Sequence, residues 1–185
     1  MEVVKKYLKR VYYRLRSNCT TEELQRKGLK VGVNFKRMHD VILDPSHCWH
    51  IQIGDNVTLA PRVHILAHDT STKQFLGYTR IGNVIIGNNV FVGADSVILP
   101  NVRIGDNVVI GANSTVVKDI PDNCVAAGSP AKIVCSIEEF VSRNKELMTH
   151  RPVYNELWTN RSPQFTNSMR EQMFESLKNG VGFVE

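Results

Sequence analysis

Residues 53–65 and 86–121 read IGDNVT LAPRVH I and IGNNVF VGADSV ILPNVR IGDNVV IGANST VVKDIP. An aliphatic residue returns at every sixth place: Ile53, Leu59 and Ile65, then Ile86, Val92, Ile98, Ile104, Ile110 and Val116. The place after it is often Gly or Ala, and the fifth place is small or β-branched. Neither the helical period nor strict strand alternation gives this spacing. A fixed internal repeat marks a solenoid, and hexapeptide periods belong to β-helices.

Three hexads make one triangular coil of 18 residues. Residues 18 apart then stack: Ile86 on Ile104, Val92 on Ile110, Ile98 on Val116. These columns fill the interior with branched side chains suited to pleated surfaces. Small residues sit near corners, where Gly tolerates unusual backbone angles, and Asn and Asp recur at the turns. Such a prism is stabilised coil by coil.

The rhythm breaks between Ile65 and Ile86. Ile86 follows Ile53 by 33 residues, 15 more than one coil. Residues 69–83, DTSTKQFLGYTRIGN, therefore leave the prism as a loop, and the predicted β-helix is interrupted only there. Long ordered loops on rigid scaffolds are commonly functional. His68 stands at its base.

Composition bounds the rest. The predicted organisation is a helical segment over 1–30, the β-helix over 31–135 and a helical extension over 136–185. No apolar run is long enough to span a membrane, and no secretory signal is evident. Cys19, Cys48, Cys124 and Cys135 have no metal-type spacing, so a reduced, cytoplasmic setting is expected. The net charge of +5 suits an anionic cofactor, and no nucleic-acid motif accompanies it.

Residues 2–16 place Val4, Leu8, Val11 and Leu15 on one stripe among Lys and Arg. That helix either docks on the first coil or a neighbouring subunit, or contacts an anionic membrane surface. Capping patterns at Ser136/Glu139 and Ser168/Glu171 open two later helices, and Gly180 is a stop. This tail is expected to cover the open sheet edges at the end of the β-helix.

The segments VGVNFK, VILDP, IGDNVTLAPRVHILAHD, IGNNVFVGADSVILPNVRIGDNVVIGANSTVVKDIP and VAAGSPAKIV resemble the hexapeptide-repeat acyltransferases. The likeness is greatest to the maltose and galactoside O-acetyltransferases and to those of surface-polysaccharide clusters. It implies a left-handed coil, which period alone does not give, and a homotrimer with active sites in clefts between parallel prisms. It also implies acetyl-CoA as donor, a hydroxyl of a carbohydrate as acceptor, and no metal.

His68 is the fourth residue of its hexad and should project outward. Acyl transfer from a thioester to a hydroxyl needs a base near neutral pH, for which imidazole is suited. The resemblance assigns His68 that role, in direct transfer within a ternary complex. It maps cofactor contacts onto Phe91, Gly93, Ala94 and Ala112, where small side chains admit a close backbone, and onto Lys118 and Lys132 for phosphates. Phe91 stands where many relatives carry Trp, and the small residues read equally as corner packing. For the acceptor, His39, Asp40, Asp69, Lys73 and Tyr78 are candidates. Arg37, Met38, His39 and Asp40 replace an Asn-rich pattern, a departure that counts against a simple maltose or galactoside acceptor.

A sugar amine, a drug or serine could replace the hydroxyl sugar, although serine enzymes carry a larger N-terminal domain than 30 residues allow. A γ-carbonic-anhydrase-like metal site needs three His, and the coils after His64 and His68 contain none. A non-catalytic scaffold would not need His68, the loop, Lys118 and GSPAK together.

Overall fold

The computed structural model describes residues 19–185, so the amphipathic stretch 2–16 lies outside the described residues. Helix α1 (Thr21–Arg26) opens on a capping box in which Thr20 and Glu23 satisfy each other's backbone N–H groups. A three-faced parallel β-helix follows. Its first face stacks Lys30–Val31, Ile51–Ile53, Val84–Ile86 and Val102–Ile104. The second stacks Lys36–Arg37, Thr58–Leu59, Phe91–Val92, Val109–Ile110 and Cys124–Ala127, and Lys132–Ser136 adds antiparallel at its end. The third stacks Ile42–Leu43, His64–Ile65, Val97–Ile98 and Thr115–Val116.

The expected columns form. Ile86 pairs with Ile104, Val92 with Ile110, and Ile98 with Val116, all with at most 2% exposure. Fifth-place residues are buried too, including Val57, Val63, Val90 and Val108. Ser96 and Ser114 share that place, and both hydroxyls donate to the Gly111 carbonyl, so the interior keeps no unpaired hydroxyl there.

Corner geometry follows from residue type. Asn34, Asn56, Asn89, Asn107 and Asn123 all adopt left-handed φ between the first and second faces. Asn reaches that region more easily than bulkier residues. Each side-chain amide but that of Asn123, the last, donates to the next Asn down the corner, at 2.9–3.1 Å. Between the second and third faces, Asp40, Arg62, Asp95 and Asn113 take the left-handed place.

The steps between faces are unequal in kind. First to second is always six residues: Ile53 to Leu59, Ile86 to Val92, Ile104 to Ile110. Second to third is also always six, as from Leu59 to Ile65 and Val92 to Ile98. Third to first varies: Leu43 to Ile53, Ile65 to Ile86, Ile98 to Ile104, and Val116 to Ile120. The β-helix is therefore not interrupted only at 69–83, as the repeat suggested. The first coil is also lengthened and the last shortened, at the same corner.

The 69–83 segment does leave the prism. It is an antiparallel hairpin, His68–Asp69 against Arg80–Ile81, tipped by one helical turn, α2 (Lys73–Leu76), that ends at the left-handed Gly77.

The chain divides after Ile137. The second unit, Glu138–Glu185, holds all but the first residue of α3 (Ile137–His150), a parallel pair of Val153–Tyr154 with Phe183–Val184, and α4 (Asn167–Ser176). Here α4 starts earlier than the Ser168/Glu171 pattern implied. Thr166 is the N-cap and its hydroxyl accepts from the Met169 N–H, which places Ser168 inside the helix.

Candidate active site

The variable corner is where side chains capable of chemistry meet. Asp44 follows the third-face strand Ile42–Leu43, and its N–H still joins the ladder to Ile65. Its Oδ1 then accepts from the N–H groups of Ser46 and His47, at 3.2 Å each, which turns the chain out of the coil. A single 3₁₀ turn, Cys48–His50, returns it to Ile51. One coil on, the chain leaves again at Ala67, whose N–H donates to Asp44 Oδ2 at 2.8 Å. Asp44 thus ties the two insertions together at their roots. His50 Nδ1 and Asn83 Oδ1, 2.8 Å apart, join them at their far ends.

His68 Nδ1 lies 2.5 Å from Asp44 Oδ2. Asp44 is 1% exposed. Burial opposes its charged form, but bonds from His68, Ala67 and Ser46 outweigh that and hold its carboxyl below the ordinary value. The ionised carboxylate can only accept, so the proton between the two sits on Nδ1. Nε2 is then the ring's acceptor, the arrangement that suits a general base. The His68 side chain is part-buried, 28% exposed, and the His47 ring lies against it with centroids 4.7 Å apart. Asp44, His47 and His68 could together hold a metal ion, since one donor atom of each lies within 4.8 Å of the others.

The bacterial transferase hexapeptide (six repeats) family model matches residues 83–118. Protein CapG of Staphylococcus aureus is 39% identical over 142 residues, which cover 74% of this chain and 83% of that protein. A maltose O-acetyltransferase of Clostridium difficile 630 superposes with a TM-score of 0.51 at 31% identity, covering 71% of this chain and 84% of that one. The chain belongs to the hexapeptide-repeat acyltransferases. A further family member from Vibrio cholerae, solved with acetyl-CoA, superposes with a TM-score of 0.53 at 29% identity; the match covers 60% of this chain and 61% of that one. The coil is the left-handed β-helix of these acyltransferases.

In this acyltransferase the remaining candidate residues fall on different corners. Asp69 is adjacent to His68, accepts from the Ser71 N–H and lies 3.8 Å from Arg80. Lys73 and Tyr78 are exposed near the hairpin tip. Lys118 is exposed at the same corner as His68, two coils further on. His39 and Asp40 lie between the second and third faces, where the His39 carbonyl accepts from Arg62. Phe91 points outward from the second face, and Ala94 and the exposed Ala112 follow at its far corner. Gly93 stacks closely on the next coil, where a Cβ would stand 2.4 Å from the Ala112 nitrogen. Lys132 is exposed on the antiparallel strand ending the second face.

Asp44 and His47 escaped sequence reasoning, although VILDP carried part of the resemblance. The signal was present. Val31 pairs with Ile53, 22 residues on, so four residues exceed a regular coil. Counting from Ile53 forward hides that excess. The coils after His64 and His68 contain no His, whereas His47 lies in the preceding coil. His64 is on the third face, paired with Val97, and takes no part in the cluster.

Proposed function

We propose that this protein transfers an acetyl group from acetyl-CoA to a hydroxyl of a carbohydrate, with His68 as general base. The Asp44–His68 pair carries the reading. Nε2 takes the proton of the acceptor hydroxyl as its oxygen attacks the acetyl carbonyl. The tetrahedral intermediate collapses by breaking the C–S bond, and the imidazolium returns the proton to the departing thiolate. An acetyl ester and free CoA result, and Asp44 stabilises the imidazolium throughout. The donor is supported by the acetyl-CoA-bound relative, and the acceptor class by the maltose O-acetyltransferase.

The assembly we infer is a homotrimer. Phe91, Gly93, Ala94 and Ala112 belong to the second face and its far corner, and His68 to the corner beyond the third face. A whole face separates the two groups within one chain. A cleft between two copies joins the donor-binding corner of one to His68 of the other, and this is how His39 and Asp40 would also come to face an acceptor. Asp69, Lys73 and Tyr78 border the same cleft in this reading. The four cysteines are free thiols, which fits a reduced cytoplasmic setting, and no helix among the described residues is long and apolar enough to cross a membrane.

His68→Ala tests the reading. Acetyl transfer to the accepted sugar falls by roughly 10²–10⁴, while acetyl-CoA affinity changes little. Full activity in the variant would remove His68 from the chemistry. A panel of hydroxyl sugars, amino sugars, nucleotide sugars and serine, followed by release of free thiol, tests the acceptor. Turnover of only an amine or serine would overturn the carbohydrate assignment.

A further inference from the structure

We infer that Asp44, His47 and His68 form a binding site for a first-row divalent cation such as Zn²⁺, and that occupancy switches the acetyl-transfer site off. Two imidazoles and a carboxylate are a donor set that zinc accepts, with room for water as fourth ligand. One donor atom of each lies within 4.8 Å of the others. A second observation comes from His47 alone: its Nδ1 is buried and has no hydrogen-bond partner among the described residues. An imidazole nitrogen out of water and without a partner is costly, and a metal bond relieves that.

The fit needs only small movements. With bonds near 2.0–2.1 Å, neighbouring donors in a tetrahedral site stand about 3.3 Å apart. His68 Nδ1 is taken as the ligand nitrogen because it already faces Asp44 Oδ2 at 2.5 Å, a contact that opens in a tetrahedral site, and one donor atom of each residue starts within 4.8 Å of the others. Both histidines lie on the inserted segments of the variable corner, outside the stacked columns.

The chemistry explains the switch. In the metal-free site the one proton of neutral His68 is on Nδ1, and Nε2 accepts. A cation bound at Nδ1 takes the place of that proton, which moves through solvent to Nε2. No net proton is lost, and the nitrogen that should accept the hydroxyl proton has become a donor. Asp44 meanwhile exchanges an N–H partner for the ion. The inhibitory consequence rests on His68 being the base; the binding site itself does not.

Chelator-treated protein titrated with Co²⁺ tests binding without any assay of activity. One Co²⁺ per chain should bind, with visible d–d absorption and no thiolate charge-transfer band, and Zn²⁺ should displace it. His47→Gln and, separately, His47→Ala should each weaken Co²⁺ binding by roughly tenfold or more, the usual order for losing a metal-site contact. In parallel, Zn²⁺ should inhibit acetyl transfer by the wild type, reversibly with chelator. Inhibition of each His47 variant, referred to its own metal-free rate, should need at least about tenfold more Zn²⁺. No stoichiometric Co²⁺ binding, a thiolate spectrum, or His47 variants that bind as well as wild type would each overturn the site. Co²⁺ binding with unimpaired turnover would overturn the switch and leave the site. A fully active His68→Ala variant would overturn the base assignment and leave Co²⁺ binding to be judged by its own spectrum.

Discussion

Two corners of one prism obey different rules. Between the first and second faces the step is six residues in every coil, and one Asn ladder runs the length of the corner. Between the third and first faces no rule holds. The step there is longer in the first two coils and shorter in the last, and the conspicuous residues are Asp44, His47 and His68. Uniform length is what a stacked ladder requires, because a change of one residue turns the inward set outward. Concentrating all variation at one corner lets the chain carry long polar insertions while the interior columns stay in register.

The largest expected effect comes from changing the step at a corner where it is always six residues. Deleting Asn89 shifts everything after it by one place, against columns in which each buried aliphatic is worth roughly 1.5–3 kcal/mol. Several such losses exceed the whole stability of a domain, about 5–15 kcal/mol. The deletion should give no cooperative thermal unfolding by circular dichroism. Shortening the hairpin tip by removing residues 72–76 should keep a cooperative transition, since that turn packs nothing into the core. A folded Asn89 deletion would break the distinction between the corners.

The second effect is on chemistry alone. Asp44 accepts from four N–H groups, those of His68, Ala67, Ser46 and His47. Asp44→Asn replaces an acceptor by a donor and removes the charge that fixes the His68 tautomer. Turnover should fall by roughly 10²–10⁴, with KM for acetyl-CoA little changed. An unchanged kcat per folded molecule would reduce Asp44 to a structural turn residue.

The same contrast explains what could be read from the chain. Ile86, Ile104, Val92 and Ile110 were legible because each hexad repeats one local rule. The 69–83 excursion was legible as a surplus over that rule. Asp44 and His47 were not, because only one coil precedes their insertion, and Arg37 stands there in the place that an aliphatic residue takes in the next two coils. Ile120 was also missed, since a coil shortened by two residues puts the interior aliphatic ahead of its expected place. Positions fixed by repetition announce themselves, whereas positions fixed by a unique tertiary bond, such as Ala67 N–H to Asp44, do not.

A third, smaller effect should come from the ladder. Asn89 has φ of 54° and bonds to Asn56 and Asn107. Asn89→Ala should lower stability by about 1 kcal/mol, mostly through the left-handed backbone. Asn89→Gly removes the same bonds without the Cβ and should cost less, as read from urea midpoints at equal m. Equal losses would shift the cause from backbone to ladder.

The smallest effect concerns the corner between the second and third faces, where Arg62 and Asp95 form an exposed two-pronged ion pair at 2.6 Å. The bond from Arg62 holds the Asp95 carboxyl below its ordinary value. A carboxyl with a folded value below its unfolded one binds fewer protons when folded, so it stabilises the fold above the ordinary Asp value of about 3.9. That contribution is lost as pH falls through the lower, folded value. Asp95→Asn removes it while keeping a residue suited to the left-handed φ of 60°. The variant should therefore be slightly less stable than wild type near neutral pH, and the gap should close in acid and in high salt. Melting curves at several pH values and salt concentrations measure this. A gap that ignores both would mean that Asp95 acts through its turn, as the Asn residues of the neighbouring corner do, and that charge adds nothing to the regular corners.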